Sequence, residues 1–242
     1  MSVTVVLNGY KRSAYFKDQL DAIKRQTVVP TEILLWQNAG EEFNPELTKD
    51  TVHASCNKNL GVWARFAFAL NAKTEYVCVF DDDTIPGNRW LENCLETIKT
   101  HDGLLGTIGV RFNTEQGYSP HSRVGWANPN EKTEEVDIVG HAWFFRREWL
   151  STFWRELPDM NHSPLVGEDM HFSYTLQKYL NKKTFVPPHP KDDLSLWGSF
   201  PMTAWQIGQD KAAISMNMNN LSIMSNAYVS YINKGFKIMS KK

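Results

Sequence analysis

The chain has 242 residues, one large domain or two small ones at the usual scale. Its 26 lysines and arginines nearly cancel 27 aspartates and glutamates, and a net charge of −1 argues against a surface built mainly to hold nucleic-acid phosphates. With 42% hydrophobic and 22% charged residues the composition is that of a folded chain, and no apolar run approaches the roughly 20 residues of a bilayer span.

In chain order, the first segments alternate between strand and helix. Val3 to Leu7 is a β-branched apolar run suited to a buried strand, broken at Asn8-Gly9-Tyr10. Ser13 is placed to cap a helix whose Tyr15, Phe16, Leu20 and Ile23 recur at helical spacing. Glu32 to Trp36 and Thr51 to Ser55 read as strands, and Gly61 to Ala72 as a helix with Val62, Phe66, Ala69 and Leu70 on one face. Tyr76 to Phe80 is a further strand. Such alternation predicts a mostly parallel sheet with helices on its faces. Beyond it, Leu104 to Phe112 reads as a strand bent at Gly106 or Gly109, and 113–132 as a polar loop. Val136 to Arg146 reads as a strand and Arg147 to Phe153 as the start of a helix. Met170 to Leu180 is a helix and Thr184 to Val186 a short strand. Residues 212–232 offer a helical stripe of Ile214, Met218, Leu221, Met224, Tyr228 and Ile232.

Two acidic groups carry the chemistry. Asp81-Asp82-Asp83 directly follows the apolar strand, where the loops of an open sheet form a ligand crevice. Adjacent carboxylates repel unless a cation sits among them, and a hard divalent ion takes one or two carboxylates plus phosphate oxygens. A solvated turn before a helix is the competing reading. Glu168-Asp169 opens a helix after Gly167. There the macrodipole favours acidic residues, and a carboxylate near a metal site is also placed to take a proton from an attacking hydroxyl.

The order of these features resembles the GT-A-fold, nucleotide-sugar-dependent glycosyltransferases, in particular the inverting family 2-like group. The likeness runs from residue 3 to about residue 190. It rests on Leu7-Asn8-Gly9-Tyr10, on Asn59-Leu60-Gly61 with Ala64-Arg65, and on YVCVFDDDTIPGNRWLE with Asp81 and Asp83 at the two D positions of a DxD motif. VGHAWFFRREWL and the GEDMHFSYTL segment complete it. The resemblance implies an α/β, Rossmann-like, mostly parallel mixed sheet flanked by helices. It implies a catalytic domain over 1–190, with 191–242 as an extension packing on it on the acceptor side or toward a partner. It implies a metal-dependent, inverting, non-processive transfer from a nucleoside-diphosphate sugar, a UDP-sugar in preference, to a hydroxyl of a glycan or small molecule.

The resemblance also implies roles for single residues. Asp83 ligates Mn²⁺ or Mg²⁺, with Asp81 and Asp82 reaching the metal through water or contacting the ribose. Leu7, Asn8, Tyr10, Gln37, Asn38 and Arg65 line the nucleotide pocket. Asp169 is the base, Glu168 its neighbour, and His189 a late metal ligand. Trp126, Trp143 and Trp197, three of nine tryptophans, are candidates to stack on an acceptor sugar.

Gln37-Asn38-Ala39-Gly40 departs from the family pattern, which often has an acidic residue there to read the nucleobase; an amide still offers a donor and acceptors. Neither the late Q-x-x-R-W motif nor the membrane helices of processive members occur. The remaining histidines (His53, His101, His121, His141, His162 and His171) show no metal-type spacing. Cys56, Cys78 and Cys94 are an odd set, and MSVTVVLNGYKR has no signal-type stretch, so a reducing, cytoplasmic setting is expected. The rival readings are a sugar nucleotidyltransferase, whose Gly-rich basic phosphate loop Leu7 to Arg12 barely resembles, and a non-catalytic nucleotide- or carbohydrate-binding module. Further domains or self-association remain compatible with the sequence.

Overall fold

The computed structural model describes residues 1–40, 42–126, 128–158, 164–200, 206–207 and 218–241. Strand β1 (Val3–Gly9) is buried along its whole length. It pairs in parallel with β2 (Glu32–Gln37) on one side and β4 (Tyr76–Phe80) on the other, and β3 (Val52–Ser55) continues the sheet from β2. A strand covered on both faces favours apolar residues along most of its length, which explains why β1 and β4 do not alternate, whereas β3 is largely exposed.

The second half of the sheet reverses direction. β8 (Ile138–Arg146) runs antiparallel to β4, and β5 (Leu104–Phe112) antiparallel to β8. β9 (Thr184–Val186) is parallel to β5, β7 (Glu134–Val136) is antiparallel to β9, and β6 (His121–Gly125) pairs with β5. The order is β3-β2-β1-β4-β8-β5-β9-β7. The chain leaves β1 on one side, toward β2, and leaves β4 on the other, toward β5. A crevice therefore opens between the carboxyl ends of β1 and β4, the switch point where open α/β sheets bind ligands.

The helices are α1 (Ser13–Lys24), α2 (Pro45–Thr48), α3 (Trp63–Phe68), α4 (Trp90–Thr100), α5 (Leu150–Phe153), α6 (Glu168–Leu180) and α7 (Met218–Asn233). Ser13 begins α1 rather than capping it, with Arg12 at the cap position. Phe16, Leu20 and Ile23 are buried as the spacing predicts, whereas Tyr15 is exposed and Gln19 takes a buried place. The predicted helix over 61–72 shortens to α3 and a 3-10 turn, Ala69–Asn71. The predicted loop 113–132 contains β6. The predicted strand 136–146 breaks at Asp137, whose buried carboxylate accepts the Phe112 N–H at 2.8 Å and the Met239 N–H at 2.7 Å.

Two apolar clusters result. One fills the sheet and its flanking helices. The other joins Val110, Phe112 and Ile138 to Met170 and Tyr174 of α6 and to Ala227, Tyr228, Tyr231, Phe236 and Ile238. In the predicted α7 stripe, Tyr228 is buried, Ile232 and Met224 are half-buried and Leu221 is exposed, while Ile214 lies outside the described residues. The buried face of α7 is instead Ala227, Tyr228 and Tyr231. No helix among the described residues is long and apolar enough to cross a membrane.

Two histidines hold these layers together as neutral rings. His171 lies at the junction of α5, α6 and α7, with Nε2 2.7 Å from the Phe153 carbonyl and Nδ1 3.0 Å from the Tyr231 hydroxyl. His189 Nδ1 donates to the Pro187 carbonyl at 2.8 Å, and its Nε2 accepts from the Gly198 N–H at 3.3 Å and the Thr107 hydroxyl at 2.8 Å. Burial pushes both down to about 4. Each unfolded imidazole titrates near 6.5, so the unfolded state binds protons first and stability falls as pH drops from about 6.5 to about 4. The expected loss is roughly 3 kcal/mol per histidine. Urea unfolding midpoints at pH 7.5 and 4.5 measure it. The gap between the two should shrink in His171→Gln, and an unchanged gap would contradict this assignment.

Candidate active site

The acidic triplet sits at the carboxyl end of β4, in the crevice beside β1. Gln19 of α1 fixes its backbone, with Nε2 donating to the carbonyls of Asp81 at 2.6 Å and Thr84 at 2.7 Å. From the other side, the His141 carbonyl accepts the Asp81 N–H and the Thr84 hydroxyl, both at 3.0 Å. His141 lies at an irregularity in β8. Gly106 pairs with Trp143 and Ile108 with Gly140, so β8 carries one more residue than β5 between these pairs. Such a bulge re-aims a side chain. His141 takes the left-handed conformation, φ 63°, a costly one for a residue with a Cβ.

The bulge turns the His141 ring toward the triplet. Asp81, Asp83 and His141 each offer a ligand atom, all within 4.8 Å of one another. His141 Nδ1 is a buried atom without a hydrogen-bond partner, and the nearest carboxylate oxygen, Asp83 Oδ1, is 3.5 Å away. Two hard carboxylates and a borderline imidazole nitrogen left without a partner fit a divalent cation. Burial opposes charge on both partners. Their mutual attraction outweighs it, holding the Asp83 carboxyl below and the His141 imidazolium above their ordinary ranges.

Asp82 does a different job. It accepts from the Tyr10 N–H at 3.1 Å and from Arg12 at 2.5 Å, tying the loop after β1 to the triplet. Arg12 also reaches Asp83 at 3.2 Å. Burial pushes Asp82 up to about 7 despite the guanidinium.

Arg65 links the triplet to the second acidic pair. Its guanidinium is buried, bonds Asp81 through Nη1 and Glu168 through Nη2 at 2.7 Å, and lies 4.8 Å from the Trp143 ring. Burial raises Glu168 to about 8 although Arg65 pulls it down, so at neutral pH Arg65 chiefly balances Asp81. Asp169 is half-buried, and one of its oxygens accepts the Met170 N–H at 2.7 Å. Among the described residues only backbone N–H groups donate to its carboxylate. Burial raises Asp169 to about 6, partly offset by those backbone hydrogen bonds. A carboxylate bonded by no side chain and with a pKa near neutrality suits proton transfer.

The loop before α3 meets the loop before α6. Gly61 has φ 73°, and the Val62 N–H donates to the Pro164 carbonyl at 3.0 Å. A Cβ on Gly61 would come within 1.9 Å of that carbonyl oxygen, so glycine is required there. Asn38 Oδ1 accepts from Trp36 Nε1 at 3.0 Å and from the Leu60 N–H at 3.1 Å, and its amide approaches Asn8 at 3.5 Å. Gln37 Oε1 meets His53 Nε2 at 2.8 Å.

A sequence profile of Glycosyl transferase family 2 matches residues 4–154, more than half of the chain. The chain belongs to glycosyl transferase family 2. Its fold is the GT-A fold. The fold is shared with S. aureus TarS, at TM-score 0.55 and 16% identity over 78% of this chain and 35% of that one. TarS 1-349 in complex with UDP gives 0.57 and 16%, over 78% of this chain and 58% of that one. The UDP-GlcNAc complex gives 0.55 and 16%, over 78% and 56%. The chain thus spans less than two thirds of each of these three TarS chains. No curated protein sequence matches it.

Within the chain, Asp81, Asp83, Arg65, Glu168 and Asp169 gather around one crevice, with Asn8, Tyr10, Gln37 and Asn38 at its β1–β2 side. The Leu7 side chain is buried in the core, leaving its backbone for any ligand. His189 is not brought to the cluster. It is fully buried and both ring nitrogens are used, so the late-ligand expectation is corrected and His141 stands in that position. Two of the three tryptophans are likewise corrected. Trp143 and Trp197 are each 2% exposed, which leaves no ring face for a sugar, and Trp197 Nε1 donates to the Pro190 carbonyl at 2.8 Å. Trp126 is half-buried, its ring 5.5 Å from that of His141.

Arg12, Gln19 and His141 escaped the sequence reading. Arg12 had a signal, a cation in the loop after the first strand. Gln19 and His141 had none, because helix register and a bulge decide where they point.

Proposed function

We propose that the transferase moves a sugar from a UDP-sugar to an acceptor hydroxyl with inversion, using a divalent cation. The observation that carries this is the pairing of the Asp81–Asp83–His141 cluster with the Glu168-Asp169 pair, joined by Arg65 bonding Asp81 and Glu168, at the switch point of a family 2 fold. The UDP and UDP-GlcNAc held by TarS support a uridine donor.

Asp81, Asp83 and His141 would hold Mn²⁺, or less readily Mg²⁺, which prefers oxygen alone. When bound, the cation supplies Lewis-acid stabilisation of charge on the departing diphosphate. Asp82 and Arg12 keep the Tyr10 loop against the triplet, shaping the nucleotide side. The Asp169 carboxylate takes the acceptor hydroxyl proton as the acceptor's oxygen bonds the anomeric carbon and the carbon–diphosphate bond breaks. A sugar hydroxyl is too weak an acid to ionise first, so the base must be placed and not merely basic. Residues 1–190 would form the catalytic unit, with 191–242 as an extension packed on it, in a cytoplasmic setting.

Calorimetric titration of UDP tests the nucleotide–metal site. UDP should bind in the presence of Mn²⁺ and lose that binding with chelator. Asp83→Ala should abolish the Mn²⁺-dependent component while leaving the fold intact by circular dichroism. Unchanged binding in Asp83→Ala would sink the metal assignment.

A further inference from the structure

β6 carries a cation that the reaction above leaves without a task. Arg123 lies opposite Val110 of β5, and residues directly opposite share a sheet face. On that face Val110 and Phe112 pack against Met170 and Tyr174 of α6, the helix that opens on Glu168-Asp169. Arg123 is exposed on this edge strand.

Its neighbours reach toward both halves of the site. Two residues before it, His121 lies 5.1 Å from the Tyr118 ring, and the Tyr118 phenol is raised by burial and then by the charge of Asp169. Three residues after it, beyond Gly125 at φ 76°, Trp126 lies against His141 at 5.5 Å. The charge of Arg123 itself acts on both Tyr118 and His141. The register thus puts Arg123 on the sheet face that packs against α6, the helix whose first turn holds Asp169, on the strand that leads to Trp126 and the His141 bulge.

The other arginines nearby are spoken for. Arg12 pairs with Asp82 and Asp83, Arg65 with Asp81 and Glu168, and Arg111 of β5 with Glu134 at 2.6 Å. Among the described residues Arg123 has no hydrogen-bond or ion-pair partner.

We propose that Arg123 binds an anionic group, a phosphate or carboxylate, carried by the acceptor close to its nucleophilic hydroxyl. The proposal rests on Asp169 being the base, because the acceptor must approach that carboxylate. A guanidinium fork matches either oxyanion in a two-point contact. The donor diphosphate would be met at the cation cluster, and Arg123 lies on a separate strand, opposite Val110 on the face packed against α6.

The test is equilibrium binding of matched pairs to the full chain loaded with Mn²⁺ and UDP. The pairs are glycerol with glycerol 3-phosphate, glucose with glucose 6-phosphate, and galactose with galacturonate. At least one charged member should bind about tenfold more tightly than its neutral partner, as one charge-assisted contact warrants. Arg123→Gln should erase that preference and Arg123→Lys restore part of it, with Mn²⁺–UDP affinity unchanged in both. No charge preference in the wild type would overturn the proposal, as would a preference surviving in Arg123→Gln. Weakened Mn²⁺–UDP binding in Arg123→Gln would assign the arginine to the donor instead. So would a preference for UDP-glucuronate over UDP-glucose that Arg123→Gln removes. Absence of Mn²⁺–UDP binding in the wild type would overturn the donor reading itself, an outcome distinct from these.

Discussion

Asp169→Asn should lower kcat by about 10²–10⁴-fold, the range expected for loss of a positioned general base. The asparagine amide fills the same volume at the start of α6 but cannot accept a proton. Donor binding should persist, because Asp169 holds no direct contact with Asp81 or Asp83, so Mn²⁺–UDP affinity measured by calorimetry should be unchanged. The pH profile gives a second reading. Asp169 must be ionised to act, so kcat should fall as pH drops through a value at or below about 6. The bound form should titrate lower, since a cation beside Asp81 favours the carboxylate. That acid limb should vanish from the residual activity of Asp169→Asn. The matching Glu168→Gln change keeps an oxygen for Arg65 and should cost far less. If Glu168→Gln were the more damaging of the two, the base would be Glu168.

Arg65→Met should cost about 3–5 kcal/mol of stability, the range for stripping one partner from a buried ion pair. The guanidinium is 2% exposed and answers two carboxyl groups from different parts of the chain. Methionine fills much of the volume against Trp143 but leaves Asp81 without its counter-charge. Glu168 can relieve its share by staying protonated. Its folded-state pKa is already raised to about 8, and loss of Arg65 raises it further. Ionisation of Glu168 is thus deferred in the folded state, so the stability gap between variant and wild type should widen above about pH 8. Urea denaturation at pH 6.5 and pH 9 measures this, and a gap independent of pH would show that the Arg65–Glu168 contact carries little charge. Activity should fall as well, since Arg65 holds the triplet and α6 in register.

In the parallel half β1 and β4 were legible because they are buried on both faces. Val3 to Leu7 is apolar except for Thr4 and Tyr76 to Phe80 is apolar throughout, and the structure keeps Tyr76–Phe80 at those bounds. The triplet and Glu168-Asp169 were legible for a related reason: acidic residues directly following a core strand or opening a core helix stand out against their surroundings. What the sequence concealed depends on backbone irregularity and on contacts distant along the chain. β6 is an edge strand, polar and short, and its HSRVG segment carries no period that separates it from a loop. The break at Asp137 is set by hydrogen bonds to Phe112 and Met239, neither of them local. His141 reads as one position in an apolar strand, and only the extra residue of the bulge turns it to the triplet. His189 has the opposite history. Its place in a Pro-rich segment suggested a ligand, yet Thr107, Pro187 and Gly198 hold it inside the core. Two of the three candidate tryptophans follow the same logic: size favours the interior for Trp143 and Trp197, while Trp126, beside the His141 bulge, keeps a route to solvent.

The central claim is metal-dependent release of a nucleoside diphosphate from a nucleotide sugar, and product analysis measures it directly. The full chain would be incubated with a panel of UDP-sugars, with Mn²⁺ or with chelator, in the presence of sugar and polyol-phosphate acceptors, and the released nucleotide separated by ion-exchange chromatography. The account predicts UDP as the product, formed with Mn²⁺, suppressed by chelator and absent in Asp83→Ala. Release of UMP or pyrophosphate instead, or UDP release at full rate in chelator, would contradict it.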